Sequence, residues 1–188
     1  GVVTFSWHPR NPLTDGDAWD VSSANVVESV LPGGSRHDLF MAWLANAADF
    51  MESIQAGGRP IPLIFRPWHE HTGSWFWWGR DLCSTDQYRS LWKLSYDYMV
   101  SERGLDHLVW AYSPGAGGLT DELFAERYPG DDMGDVIGFD CYQYSSDEAY
   151  TDEMKRALDI ISSFGKDHDK ILAVTETGFE GVKNPQWW

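Results

Sequence analysis

The stretch that decides the fold runs from Ile61 to His71 and reads IPLIFRPWHEH. Its first half is a short apolar run without apolar–polar alternation, which is typical of a strand buried on both faces of a parallel sheet. Its second half places Arg66, His69 and Glu70 at or just past the end of that strand. Titratable side chains at such a position indicate that the functional site lies at the carboxyl ends of the parallel strands.

Four more short runs share this composition and predict further strands: Val2–Trp7, Leu108–Tyr112, Val136–Asp140 and Ile171–Thr175. Segments of helical period separate the runs. They are Asp38–Ala56, closed by Gly57-Gly58, then a helix capped by Ser84 or Thr85 and ended by Gly104, a shorter candidate over Thr120–Arg127, and Glu148–Phe164. The alternation predicts an α/β fold built from a series of βα units with right-handed crossovers. No linker or repeat interrupts the series, so we expect one continuous piece of one domain.

The composition excludes several classes of protein. With 43% hydrophobic and 15% aromatic residues, the chain has enough core-forming material to fold. Its formal charge of -15 would repel nucleic acids and anionic membranes, so neither is an expected partner. The longest apolar runs fall far short of the roughly 20 residues that a membrane crossing needs. No secretory signal is visible, and Cys83 and Cys141 are expected to be free thiols.

Two carboxylates stand out among the residues that follow the predicted strands. Glu70 and Glu176 each come after an apolar strand, and both are expected to face the same mouth. Such a pair supports acid–base work, because burial and mutual repulsion push the two pKa values apart. Glycoside hydrolysis divides its roles between two carboxyl groups in this way. Either Glu taken alone is as easily a buried structural partner.

The aromatic residues point toward a sugar ligand. The chain has 11 Trp, and the loop Trp75-Phe76-Trp77-Trp78-Gly79 begins five residues after Glu70. An exposed indole can bury the C–H face of a sugar ring while the hydroxyl groups stay wet. We expect most of these loop aromatics to be packing anchors and at least one to be a sugar platform.

Other chemistries find little support. His69 and His71 flank Glu70, but they lack the helical spacing and third ligand of a zinc site, so no metal and no cofactor are predicted. Asp131-Asp132 is more simply a solvated turn than a calcium site. Ser113 lacks the G-x-S-x-G elbow of a serine hydrolase.

Three strings together resemble glycoside hydrolase family 26, whose commonest members are endo-β-1,4-mannanases. They are Arg66–Gly79 (RPWHEHTGSWFWWG), Gly138–Gln143 (GFDCYQ) and Thr175–Gly178 (TETG). The resemblance implies a (β/α)8 TIM barrel, which needs about 250 residues or more. It assigns the five strands to barrel positions 3 to 7, so residues 1–188 would be a partial catalytic barrel truncated at both ends. The chain would then end at Trp187-Trp188, in the loop after Glu176.

The resemblance also implies roles for individual residues. Glu70 matches the acid/base and Glu176 the nucleophile of a retaining double displacement, and Tyr142 matches the residue that orients the nucleophile. In that geometry the two carboxyl groups lie about 5–5.5 Å apart. The surroundings of the pair agree, since Tyr142 and Arg66 should keep Glu176 ionised while the tryptophans raise the pKa of Glu70. The substrate-binding residues implied are His8, His69, Trp75, Asp140, Tyr142 and, on a looser match, Trp19.

The expected function is endo-acting, retaining cleavage of β-1,4-mannosidic bonds in mannan, glucomannan or galactomannan. A β-1,3-xylanase, a mixed-linkage β-glucanase and a non-catalytic carbohydrate-binding barrel remain alternatives. The expected partner is a β-mannan, and the whole enzyme is expected to be monomeric. Because a polysaccharide cannot enter a cell intact, we expect secretion or surface display. Residues 1–188 expressed alone should be unstable and inactive, because a partial barrel leaves two sheet edges unpaired.

Overall fold

A computed structural model describes residues 2–178, and the predicted loop that reaches Trp187-Trp188 lies outside them. The main sheet is parallel and has five strands, in the order β1-β4-β5-β6-β7. These strands are β1 (Val3–Ser6), β4 (Leu63–Arg66), β5 (Leu108–Tyr112), β6 (Val136–Tyr142) and β7 (Ile171–Gly178). A small antiparallel hairpin joins β2 (Gln55–Ala56) to β3 (Arg59–Pro60). Since the sheet follows the order of the chain, the predicted series of βα units is confirmed.

Helices occupy the connections between the parallel strands. They are α1 (Val26–Val30), α2 (His37–Ser53), α3 (Thr85–Tyr96), α4 (Asp121–Glu126) and α5 (Asp147–His168). A π-helix over Asp97–Glu102 continues α3, and a short 3-10 helix covers Asp131–Met133. Within residues 2–178, no helix combines the length and the apolar character needed to cross a membrane.

Hydroxyl side chains start the three helices that flank β5, β6 and β7. The Ser84 side chain accepts a hydrogen bond from the backbone N–H of Gln87, and the Gln87 side chain accepts one from the backbone N–H of Ser84. These two reciprocal bonds form a capping box. Thr120 and Ser146 accept in the same way at the starts of α4 and α5. The predicted helix starts at Ser84 and Thr120 are therefore confirmed.

One predicted helix end is wrong. Gly57-Gly58 was expected to stop the helix over Asp38–Ala56, but α2 already ends at Ser53. The two glycines instead form the turn between β2 and β3, where their φ angles of 61° and 77° lie in the left-handed region that glycine favours. Not all apolar side chains of α2 are buried: Phe40 is buried, whereas Phe50 is half exposed.

Aromatic side chains fill the core between the sheet and the helices. Phe65 of β4 meets Trp110 of β5 edge-on, with ring centroids 4.9 Å apart, and Trp92 of α3 packs on Trp110 at 5.7 Å. In the loop after β4, Trp77 and Trp78 are fully buried while Trp75 is 45% exposed. The expectation that most loop aromatics are anchors and one is exposed is confirmed.

A register shift between β6 and β7 positions the acidic residues at the end of the sheet. Phe139 pairs with Val174, but the next residue, Asp140, pairs with Glu176, so Thr175 is the extra residue of a bulge. Bulges of this kind are frequent beside active sites because they redirect a side chain. Here the bulge brings Glu176 level with Asp140.

Gly138 allows β6 and β7 to approach closely just before the bulge. A Cβ atom at this position would lie 2.6 Å from the Ala173 carbonyl oxygen and 2.7 Å from the Thr175 methyl group. We predict that Gly138→Ala lowers the free energy of unfolding of the intact protein by about 1–3 kcal/mol, because the strands must separate. The matched control is Gly117→Ala, whose added methyl meets only Glu153 at 3.7 Å. Equal denaturation midpoints for the two variants would contradict this account.

Candidate active site

A cavity of about 620 Å³ opens at the carboxyl end of the sheet. Its walls include every predicted site residue: His8, Trp19, His69, Glu70, Trp75, Asp140, Tyr142 and Glu176. Sequence reasoning missed two further polar residues of the wall, Tyr144 and Glu153. Glu153 lies inside α5, where nothing in the sequence distinguishes it from the other acidic residues of that helix. The prediction that the strand ends converge on one mouth is confirmed.

Arg66 is buried and contacts two residues of the cavity wall, Asp140 and Glu176. Its Nη1 group donates to the Asp140 carboxylate at 2.6 Å, and its Nη2 group donates to Glu176. Its Nε group donates to the Ser6 hydroxyl at 3.2 Å, and Nη1 also reaches the Ser113 hydroxyl at 3.3 Å. The predicted contact between Arg66 and an acidic residue is confirmed, and the guanidinium serves two carboxylates at once.

Asp140 is enclosed by hydrogen-bond donors. The hydroxyl groups of Ser113 and Thr175 each donate to its Oδ1 atom at 2.7 Å, while its Oδ2 atom faces Arg66. Burial nevertheless raises the pKa of Asp140 to about 7, because the nearby positive charge offsets only part of the desolvation. Asp140 thus keeps a raised pKa even though it contacts the guanidinium.

Glu176 is held in the ionised form by its two partners. One carboxylate oxygen accepts from the Tyr142 hydroxyl and the other accepts from Arg66. Burial by itself would raise the pKa of Glu176, but the Tyr142 hydrogen bond and the Arg66 charge outweigh it, so the pKa lies below its ordinary value. The predicted ionised state of Glu176 is supported.

Glu70 experiences the opposite balance. Among the described residues, its carboxylate accepts one hydrogen bond, from the Trp75 indole Nε1 at 2.7 Å. Burial raises the pKa of Glu70, the indole bond lowers it only in part, and the charge of Glu176 raises it further. The pKa values of Glu70 and Glu176 are therefore shifted in the opposite directions that the sequence analysis predicted.

Two histidines and an indole extend the wall on the side of β1. The Nε2 atoms of His8 and His69 lie 2.9 Å apart, and Trp19 stacks on the His8 ring with centroids 5.5 Å apart. Burial and the charge of Arg66 lower the pKa of His69 to about 2 and also lower the pKa of His8. Both rings are therefore neutral at ordinary pH, and one donates a hydrogen bond to the other.

His71, the third residue of the His-Glu-His string, lies outside the cavity. Its ring is fully buried between Tyr88 and Tyr112, with centroids 4.5 and 4.9 Å away. Among residues 2–178, no group of three His, Cys, Asp or Glu side chains could hold a metal ion. Cys83 and Cys141 are separate buried thiols. Of the two histidines beside Glu70, His69 therefore lines the cavity and His71 packs in the core.

At the carboxyl end of this parallel βα sheet, one cavity holds two carboxyl groups with opposite pKa shifts and two exposed indoles. These features define the class as a βα-barrel protein with a carbohydrate-binding type of site. Residues 1–176 match the sequence model of glycosyl hydrolase family 26. The chain belongs to that family, as the sequence resemblance predicted.

Known proteins resemble most of the chain. A mannan endo-1,4-beta-mannosidase of Bifidobacterium adolescentis is 37% identical over 96% of the chain and 18% of its own length. The β-mannanase BoMan26A of Bacteroides ovatus is 48% identical, with a TM-score of 0.95 over 100% of this chain and 54% of its own. A β-mannanase from a protist of the termite Reticulitermes speratus, solved with a gluco-manno-oligosaccharide, is 32% identical, with a TM-score of 0.69 over 95% and 53%.

The chain thus spans about half or less of these relatives. The five parallel strands form part of a TIM barrel, as expected from the sequence.

The Tyr142 hydroxyl makes the hydrogen bond that contributes most to lowering the pKa of Glu176. We predict that Tyr142→Phe raises the pKa of Glu176, because the carboxylate loses a donor that favours its charged form. Carboxyl 13C NMR titration of the intact protein measures this shift directly.

The matched control is Tyr150→Phe, because the Tyr150 hydroxyl contacts Thr177 at 2.7 Å rather than Glu176. An unchanged Glu176 titration in Tyr142→Phe would show that Arg66 alone sets the pKa.

Proposed function

We propose that the intact protein is an endo-acting, retaining β-mannanase that cleaves internal β-1,4-mannosidic bonds in mannan, glucomannan or galactomannan. The observation that carries the proposal is the pair Glu70 and Glu176, which share one cavity and have pKa values shifted in opposite directions. Family membership supports the reaction class, and the relatives named as mannan endo-1,4-beta-mannosidases support the substrate.

In this proposal, each carboxyl group takes the role that its protonation state suits. Ionised Glu176 attacks the anomeric carbon, while the Glu70 carboxyl gives its proton to the leaving glycosidic oxygen. A glycosyl–Glu176 ester results, and Glu70 then removes a proton from the water that hydrolyses it. Tyr142 and Arg66 fix both oxygens of the nucleophile, which limits the carboxylate to one orientation.

The remaining wall residues suit a sugar ligand. Trp75 is half exposed, its indole N–H is engaged with Glu70, and its ring face is free to pack against a pyranose. Trp19 offers a second exposed indole beside His8, and His69 lines the same side. We assign these residues, with Asp140, to the binding of the sugars on either side of the cleaved bond. A monomeric enzyme acting outside the cell suits a polymeric substrate.

Covalent trapping tests the central assignment. An activated 2-fluoro mannoside should form a stable ester with the intact protein, because the fluorine slows hydrolysis of the glycosyl-enzyme. We predict that the label resides on Glu176 and that Glu176→Ala abolishes it, as shown by peptide mass spectrometry. Glu153→Ala is the matched control, since it removes another carboxylate from the same wall but leaves a labelled Glu176. If Glu176→Ala is still labelled, on another residue, the assignment of Glu176 as the nucleophile is wrong.

Substrate choice is measured separately. Reducing-sugar release from mannan should exceed release from mixed-linkage β-glucan and β-1,3-xylan. A preference for either of the latter would reassign the substrate without touching the mechanism.

A further inference from the structure

The turn that carries Glu70 into the cavity has an unusual backbone. Trp68 and Glu70 have φ angles of 52° and 53°, in the left-handed region that bulky residues rarely adopt. Each such residue costs of order 1–3 kcal/mol and persists only when the surrounding structure holds it in place. The orientation of the Glu70 carboxyl therefore depends on whatever restrains this turn.

Hydrogen bonds restrain all three carbonyl groups of the turn. The Tyr88 hydroxyl donates to the Trp68 carbonyl at 2.9 Å, and the Trp78 indole donates to the His69 carbonyl at 2.8 Å. The Glu70 carbonyl accepts from the Gly73 N–H at 3.0 Å. On the opposite side, the Glu70 N–H donates to the Ser113 carbonyl at 2.7 Å.

Tyr88 lies in a different structural element from the other two donors, Trp78 and Gly73. Trp78 and Gly73 belong to the loop that follows the turn, whereas Tyr88 projects from α3. Its ring is fully buried, packed against His71 at 4.5 Å and beneath the guanidinium of Arg127 at 5.1 Å. Burial raises the pKa of Tyr88 well above its ordinary value, so the hydroxyl keeps its proton and remains a donor.

We infer that Tyr88 is a positioning residue for Glu70, which it aims into the cavity by anchoring the Trp68 carbonyl to α3. The inference rests on the proposed role of Glu70 as the acid/base. Among the described residues, Tyr88 neither lines the cavity nor bonds to Glu176, so it acts on the reaction through the turn that carries Glu70. Loss of its hydroxyl lets the strained turn relax and moves the Glu70 carboxyl away from the glycosidic oxygen.

The chain supplies a matched control in Tyr112. Its hydroxyl is also buried and also donates to a backbone carbonyl, that of Phe124, at 2.8 Å. Tyr112 packs on the same His71 ring as Tyr88, with centroids 4.9 Å apart. Tyr112→Phe therefore removes a hydroxyl-to-carbonyl hydrogen bond from the same part of the core while leaving the hydrogen bonds to Trp68, His69 and Glu70 in place.

The experiment compares two substrates of different leaving-group ability in the intact protein. With phenyl β-mannobioside, the C1–O bond breaks only as Glu70 protonates the departing oxygen, while Glu176 forms its bond to C1. With 2,4-dinitrophenyl β-mannobioside, the phenolate leaves with the electron pair and needs no proton. The ratio of the two kcat/KM values measures the contribution of proton donation by Glu70. It does not depend on the fraction of each variant that is folded, because that fraction affects both substrates equally.

We expect Tyr88→Phe to lower kcat/KM for the phenyl substrate at least about tenfold more than for the dinitrophenyl substrate. Tyr112→Phe should leave the ratio at the parent value, and Glu70→Gln should change it in the same direction as Tyr88→Phe and further. If Glu70→Gln changes the ratio but Tyr88→Phe does not, the positioning role is overturned and the proposed function stands. If Glu70→Gln leaves the ratio unchanged, the acid/base assignment falls and the positioning role falls with it.

Discussion

One guanidinium ties together the carboxyl ends of all five parallel strands. Arg66 ends β4 and donates to Ser6 of β1, to Ser113 directly after β5, to Asp140 of β6 and to Glu176 of β7. Buried ion pairs contribute little net stability, but removing one partner leaves an uncompensated charge and costs several kcal/mol. The sheet therefore keeps this geometry because the charges of Arg66, Asp140 and Glu176 can be satisfied together only when the five strand ends stay in register.

The same contact makes the cavity electrostatically asymmetric. Glu176 contacts the guanidinium, and its pKa lies below the ordinary value, whereas Glu70 accepts a hydrogen bond from the Trp75 indole and its pKa is raised by burial. Asp140 also contacts the guanidinium, but burial raises its pKa to about 7. The two carboxyl groups of one cavity thus have pKa values shifted in opposite directions, raised for Glu70 and lowered for Glu176.

Much of this arrangement was readable in the sequence, because strand ends in a βα series converge whatever the details of the helices. Arg66, Glu70 and Glu176 each follow an apolar run, and their convergence needed no knowledge of side-chain packing. The left-handed turn at Glu70 and the bulge at Thr175 were not readable, since bulky residues adopt such backbone only when distant groups hold them. The Gly57-Gly58 helix stop failed for a related reason: glycine marks a left-handed turn but does not say which element the turn ends.

In the proposed mechanism, Glu176 attacks the anomeric carbon directly while Glu70 donates and accepts the proton. The anomeric configuration of the first product tests it most directly. Proton NMR of the intact protein acting on mannohexaose should show the β-anomer first, with the α-anomer growing only at the rate of mutarotation. Initial appearance of the α-anomer would mean that water attacks instead, and it would contradict the account, because inversion requires Glu176 to act as a base rather than a nucleophile.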